Sequence, residues 1–153
     1  MSASPPSGTA LRSLILGSPP VPSASGAFAA DTRTIFTIAG GEVLITALWG
    51  KVTTAITVAN TVKLQTNPTT GTTADIVTAT DVGTNDTAVG SILGVLDQTD
   101  TAPDLSLDGK ALSGVVVSTG DIEQVTTGTN PDGAVTWYCT WVPLTDGATL
   151  VAG

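Results

Sequence analysis

The residues that could do chemistry in this chain are few and stand apart from one another. Histidine is absent from all 153 positions, which excludes Ser-His-Asp and Cys-His nucleophile systems and the common Cys/His zinc sites. The one cysteine, Cys139, lies between two tryptophans in "TWYCTW" with no basic neighbour, so we expect an inert buried thiol. No P-loop and no GxGxxG turn is present, so nucleotide binding has no support.

Carboxylates are the remaining option for catalysis or metal binding. Glu42 and Glu123 are the only glutamates, and nothing in the sequence places them across a cleft as glycoside hydrolysis requires. The acidic run "LDQTDTAPDLSLDG" contains several aspartates, but their spacing rules out an EF-hand, because EF-hand acids alternate before a glycine and a distal glutamate. Those aspartates are Asp97, Asp100, Asp104 and Asp108. We therefore expect a solvated loop, no metal, no cofactor and no enzymatic activity.

The charge balance restricts the possible partners. Thirteen acids stand against five bases, for a net charge of −8. Nucleic-acid binding and attraction to anionic membranes both need clustered Lys or Arg, and no such cluster exists here. No apolar run approaches the roughly 20 residues that a membrane-spanning helix needs. These features predict a protein that meets other proteins through neutral and apolar surface.

From residue 31 onward the chain is a succession of β-branched stretches separated by Gly, Pro, Asn and Asp turns. The stretch at 42–54 is apolar on both sides, which predicts a central strand covered on two faces. Eight or nine short strands indicate an all-β fold, either an antiparallel β-sandwich or a jelly-roll-like barrel. The principal predicted strands are 32–39, 42–54, 55–66, 73–82, 110–119, 121–128 and 134–144.

The aromatic residues could form either a ligand-stacking surface or part of a sheet core. In "AVTWYCTW" a strict period of two puts Trp137, Cys139 and Trp141 on one side, where burial of aromatic rings is most stabilising. In "EVLITALWGK" the same alternation groups Trp49 with Ile45. We therefore predict Trp49, Trp137 and Trp141 to be core aromatics.

Residues 1–30 differ in composition from the remainder. They are rich in Ser, Pro, Gly and Ala, which favours an extended backbone with little packing of its own. We therefore predict an extended N-terminal arm at 1–30 and a β-sandwich domain at 31–153. A purely solvated tail has little use for large aliphatic side chains, so four of them are predicted to anchor the arm on a neighbouring surface. These are Leu11, Leu14, Ile15 and Leu16.

Four stretches resemble segments of small structural proteins of tailed bacteriophages. They are "IFTIAGGEVLITALWGKVTTAI" (35–56), "NTVKLQTNPTTGTTADI" (60–76), "GDIEQVTTGTNPDGAVTWYCTW" (120–141) and "VPLTDGATLVAG" (142–153). Together they cover about residues 30–153. The family includes head decoration proteins and minor capsid proteins.

The resemblance implies a non-enzymatic cement protein, made in the host cytoplasm, that binds the outer surface of the phage head. Its partner would be the major capsid protein, and it would assemble as a homotrimer. An alternative is a receptor-binding or tail-fibre-associated β-sandwich module, and a tail-tube or head-completion protein also remains open. A binding module should carry aromatic or charged residues on its loops, whereas the loops here carry Thr, Asn, Gly and Asp, which favours decoration.

Overall fold

The computed structural model describes residues 19–95, 105–106 and 114–153, and within them the chain forms eleven β-strands and no helix. The strands are β1 (Val21–Ala27), β2 (Thr32–Ala39), β3 (Val43–Thr54), β4 (Asn60–Pro68), β5 (Ala74–Asp81), β6 (Ile92–Val95), β7 (Leu105–Ser106), β8 (Val115–Val117), β9 (Gly120–Gly128), β10 (Ala134–Pro143) and β11 (Thr149–Ala152).

The strands form two antiparallel sheets that pack face to face. Sheet A has the order β1-β10-β3-β6-β7, and β8 pairs with β3 on the edge that β6 also uses. Sheet B has the order β11-β2-β9-β4-β5. Alternate apolar residues of both sheets face inward and form one continuous core. The all-β prediction is confirmed, and the architecture is that of a β-sandwich.

Trp137 of β10 is the largest fully buried side chain, and it also connects the two sheets. Trp137 Nε1 donates a hydrogen bond of 2.7 Å to Gln124 Oε1 on β9, and Gln124 Nε2 donates one of 2.8 Å to Thr126 Oγ1. The buried indole N–H and the buried amide thus satisfy one another. Trp137 is thus a core residue as predicted, whereas Trp141, four positions along, is partly buried and packs against the same core.

A glycine on the neighbouring strand makes room for this indole. Gly50 of β3 pairs directly with Trp137, and a Cβ at position 50 would lie 2.9 Å from the Trp137 ring and 2.7 Å from Val135 Cγ1. Both approaches are closer than real Cβ contacts. The ring can therefore lie against β3 only because position 50 has no side chain.

A β-bulge in β3 overturns the prediction for Trp49. Thr46 is an extra residue of β3 opposite β10. Ile45 before the bulge and Leu48 after it are both fully buried. Because an extra residue reverses the alternation beyond it, Trp49 lies on the outer face of sheet A, and the prediction that it is a core aromatic is wrong.

The first strand lies inside the segment predicted to be an arm. β1 pairs with β10 as an edge strand of sheet A, and its own residues Ser23 and Ser25 are buried. Ser25 Oγ accepts a hydrogen bond of 3.0 Å from the backbone N–H of Val135. The boundary predicted at residue 30 is therefore wrong, because small polar residues paired to β10 suffice for an edge strand. The predicted anchor residues lie outside the described residues: Leu11, Leu14, Ile15 and Leu16.

The predicted strand at 55–66 begins later than expected. β4 starts at Asn60, and the preceding residues form a loop that the turn before β10 holds in place. Asp132 Oδ1 accepts hydrogen bonds from the backbone N–H groups of Thr57 (2.8 Å) and Val58 (2.9 Å), and Asp132 Oδ2 accepts one from the Thr57 hydroxyl. Thr57 and Val58 thus bind the Asp132 carboxylate instead of pairing with a neighbouring strand.

Candidate functional site

The lone cysteine is placed where it cannot act as a nucleophile. Cys139 is fully buried between the sheets, and burial raises the pKa of its thiol to about 12. At neutral pH the thiolate, which is the reactive form, is therefore essentially unpopulated. The prediction of an inert core thiol agrees with this environment.

The two glutamates have separate structural surroundings. Glu123 lies on the outer face of sheet B, where its carboxylate accepts hydrogen bonds from Gln65 Nε2 (2.7 Å) and Asn67 Nδ2 (2.9 Å). Glu42 is exposed in the turn before β3, and its backbone contacts Thr145. In the described parts of the chain no three His, Cys, Asp or Glu side chains are grouped as metal ligands. The acidic run with Asp97, Asp100, Asp104 and Asp108 lies outside the described residues.

A shallow cavity of about 210 Å³ lies beside the loop after β5. Its one carboxylate, Asp81, accepts hydrogen bonds from the backbone N–H groups of Gly83 and Thr84, both at 2.9 Å, and from the Thr84 hydroxyl. These bonds lower the pKa of Asp81, with the Thr84 hydroxyl contributing most. The Asp81 carboxylate is hydrogen-bonded within the turn that follows β5, so the cavity offers no free charged group to a ligand.

The outer face of sheet B, here called the polar face, is built of mutually paired side chains. Lys63 forms a salt bridge of 2.8 Å with Asp75 across β4 and β5. Further hydrogen bonds join neighbouring strands across this face: Thr37 to Asp121 at 2.8 Å, Thr61 to Thr127 at 2.6 Å, and the Glu123 contacts described above. Such a surface is well solvated and already satisfied internally.

The outer face of sheet A is composed differently. We call its outward side chains the apolar face; they come from β3, β8 and β10 and are Leu44, Ala47, Trp49, Val116, Tyr138 and Val142. Trp49 and Tyr138 are half-buried and stack with ring centroids 5.5 Å apart and an interplanar angle of 10°. Val116 is 55% exposed at the β8 edge. The centre of the apolar face is thus an aromatic pair, with aliphatic residues beyond it.

The polar groups on this side are threonines rather than charges. Thr46 and Thr140 share a hydroxyl–hydroxyl hydrogen bond of 2.7 Å between the aromatic pair and the aliphatic residues. Among the described outward positions of sheet A, Lys51 is the only charged residue. In a chain of net charge −8, an extended face without a described acid is a distinct region, and its composition is typical of a surface that contacts another protein.

Only part of the apolar face could be predicted from the sequence. The stretch 42–54 is apolar on both sides, which correctly indicates an unusual outer face, but the bulge at Thr46 moves Trp49 onto it. Tyr138, its stacking partner, occupies the outward position that alternation assigns it. Among the described residues, no helix is long and apolar enough to cross a membrane.

Comparison of the chain with protein-family models, with curated proteins and with solved structures finds no match to any of them.

Proposed function

We propose that this protein is a non-enzymatic structural component of a bacteriophage virion, a decoration protein that binds the outer surface of the head and stabilises it. The observation that carries the proposal is the apolar face, a nearly uncharged outer sheet surface on a strongly acidic chain. A decoration protein acts by covering area on its partner, and such a surface suits that role. The resemblance of residues 30–153 to small virion proteins supplies the setting.

The partner in this proposal is the major capsid protein, with homotrimers forming on the head. Contact is made by the apolar face and by the N-terminal arm with its four aliphatic residues. Burying one such side chain contributes about 1.5–3 kcal/mol before the cost of ordering is subtracted. A trimer repeats the contact at three positions and so raises the overall affinity without new chemistry.

The test is co-sedimentation with purified undecorated heads of the parent phage. We expect the protein to bind, and Val116→Asp to weaken binding because it places a carboxylate among apolar contacts. Thr127→Asp is the matched control, since it places the same charge on the polar face and should bind normally. Equal binding of both variants would show that the apolar face is not the contact surface. Detection of the protein only in separated tails would contradict the proposal altogether.

A second candidate is a receptor-binding or tail-associated module, and the half-exposed aromatic pair favours it. Trp49 and Tyr138 offer ring surface of the kind on which sugars stack. A glycan array distinguishes the two functions. Saturable binding that is lost in Trp49→Ala would support the module, whereas its absence together with head binding supports decoration.

A further inference from the structure

The edge strand β1 is held to the sandwich by little apolar contact. Of its seven residues only Val21 packs against the core, and its two other inward side chains, Ser23 and Ser25, are buried serines. Burial of a hydroxyl stabilises a fold far less than burial of an aliphatic side chain. The attachment of β1 therefore depends on its hydrogen bonds, which it makes to β10 on one side and to Arg33 of β2 on the other.

The backbone groups of β10 alternate between its two neighbours, β1 and β3. The Val135 N–H donates a hydrogen bond of 3.0 Å to Ser25 Oγ, so Val135 faces β1. Successive residues of a strand direct their amides to opposite sides, so every second amide follows Val135. The amides that face β1 are therefore those of Val135, Trp137 and Cys139, and the amides that face β3 are those of Thr136 and Tyr138.

A β-bulge in β1 leaves two carbonyl groups outside this ladder. The pairing with β10 shifts between Ala24 and Ala27. At the shift, the Ser25 hydroxyl accepts the Val135 N–H that the Ser25 carbonyl would accept in a regular ladder. Ala27 lies opposite Ala134, whose backbone faces β3, so the Ala27 carbonyl also points away from β10. The carbonyl oxygens of Ser25 and Ala27 thus need a donor from elsewhere.

Arg33 supplies this donor from the opposite sheet. Its Nη1 donates hydrogen bonds of 2.7 Å to the carbonyl oxygens of both Ser25 and Ala27, and its Nε donates one of 2.8 Å to Asp31 Oδ2. Hydrogen bonds from a charged donor are stronger than those between neutral groups. Gly26, between the two carbonyls, has a φ of 69°, and a Cβ there would lie 3.0 Å from Arg33 Nη1. The bulge therefore has the shape that the guanidinium requires.

We propose that Arg33 is a latch that holds the edge strand β1 closed over β10. When the latch is removed, β1 opens while the remaining sandwich stays folded, because β2 keeps its pairing with β9 and β10 keeps its pairing with β3. Opening exposes the edge of β10, and an unpaired strand edge is a template for pairing with another chain. The latch therefore protects the protein from edge-to-edge association. This role does not depend on the function proposed above.

Amide hydrogen exchange in β10, followed by NMR, tests the latch on the full-length protein. In Arg33→Ala the β10 amides that face β1 should exchange about tenfold faster, the factor expected from the loss of a charge-assisted hydrogen bond. The β10 amides that face β3 should exchange at unaltered rates. Equal acceleration of both groups, or no acceleration of either, overturns the proposal.

Lys63→Ala is the matched control for Arg33→Ala. It also removes one positive charge and a salt bridge of 2.8 Å, but on the polar face of β4. It should leave the exchange of both groups of amides unchanged, and selective acceleration in this variant would overturn the latch. Arg33→Lys is a milder second variant, which keeps the charge but not the planar group that reaches two carbonyls. It should accelerate the same amides by a smaller factor, so the test does not depend on the folding of Arg33→Ala.

Sedimentation velocity tests the consequence for association. Arg33→Ala should form concentration-dependent oligomers, although the substitution adds to the net negative charge that keeps the molecules apart. Lys63→Ala makes the same change in charge and should sediment as the unaltered protein does. Association of neither variant, or of both alike, would contradict protection of the β10 edge by Arg33.

Discussion

The two outer faces of this sandwich differ although both belong to antiparallel sheets of similar size. On the polar face, Lys63 pairs with Asp75 and Glu123 with the amides of Gln65 and Asn67. On the apolar face, the centre is the stacked pair Trp49 and Tyr138. One face satisfies itself in water, whereas the other leaves apolar area that another surface can cover.

This difference bears on how the two faces would contribute to stability and to the proposed contact. Exposed ion pairs contribute little to stability, about 0–1 kcal/mol each, so the polar face chiefly maintains solubility. Apolar area removed from water contributes about 25 cal/mol per Å², and a face without described acids can be covered without burying an unpaired carboxylate. The contrast therefore supports the proposal that one sheet faces solvent and the other contacts a partner.

The largest expected effect comes from replacing the buried tryptophan on the inner side of sheet A, compared with replacing the tryptophan on its outer side. Trp137→Ala should lower the free energy of unfolding by about 3–5 kcal/mol, because it leaves a cavity between the sheets. Trp49→Ala should cost only about 1–2 kcal/mol, chiefly through the lost stacking with Tyr138. Urea denaturation followed by circular dichroism measures both. Similar losses would contradict the assignment of the two indoles to opposite faces.

An intermediate effect is expected where the two sheets are joined. Gln124→Leu should destabilise by about 1–3 kcal/mol, because the buried Trp137 N–H loses its acceptor. Gln65→Leu on the polar face is the matched control. It should change stability by about 0.5 kcal/mol or less, because Glu123 keeps its bond from Asn67. Thermal unfolding resolves the difference, and equal melting temperatures would show that the buried bond is not stabilising.

Acid should weaken the loop that Asp132 holds in place. Hydrogen bonds from Thr57 and Val58 lower the pKa of Asp132 below its ordinary 3.8, the Thr57 hydroxyl contributing most. The unfolded chain therefore binds a proton before the folded one does, so this contribution is complete above about pH 3.8 and is lost as the pH falls through the lowered pKa. Stability measured against pH should fall less steeply there in Asp132→Asn than in the unaltered protein. Parallel profiles would contradict this role.

The smallest effect on stability is expected from a single charge placed on each outer face. Val116→Asp and Thr127→Asp should each change the free energy of unfolding by about 0.5 kcal/mol or less, since both positions are exposed. Their effects on surface properties should differ. Val116→Asp should reduce the binding of an apolar dye to the folded protein, whereas Thr127→Asp should leave it unchanged. A reduction in both variants would remove the distinction between the faces.

The core of β10 could be predicted from the sequence because local alternation governs it. Val135, Trp137 and Cys139 occupy successive inward positions with no interruption, and all three are buried. Trp49 could not be placed in the same way. The bulge at Thr46 depends on the register between β3 and β10, which are distant in sequence. The residue types near Thr46 do not indicate a bulge.

The first strand and the apolar face show the same limit in another form. Composition suggests an arm for residues 21–27, but β10 offers a free edge, and an edge strand of small residues satisfies it. The apolar character of both sides of 42–54 was visible in the sequence. Which residues of this stretch face outward depends on the change of alternation at the bulge.

The pairing order has a consequence for how the polypeptide is made. β1 and β3 flank β10, and β2 lies between β9 and β11, so the early strands find their partners roughly a hundred residues later. During synthesis on the ribosome β4 can pair with β5 early, but β1, β2 and one edge of β3 stay unpaired until β9 and β10 emerge. Folding should therefore be slow and largely post-translational, and the nascent chain is vulnerable to aggregation during that delay.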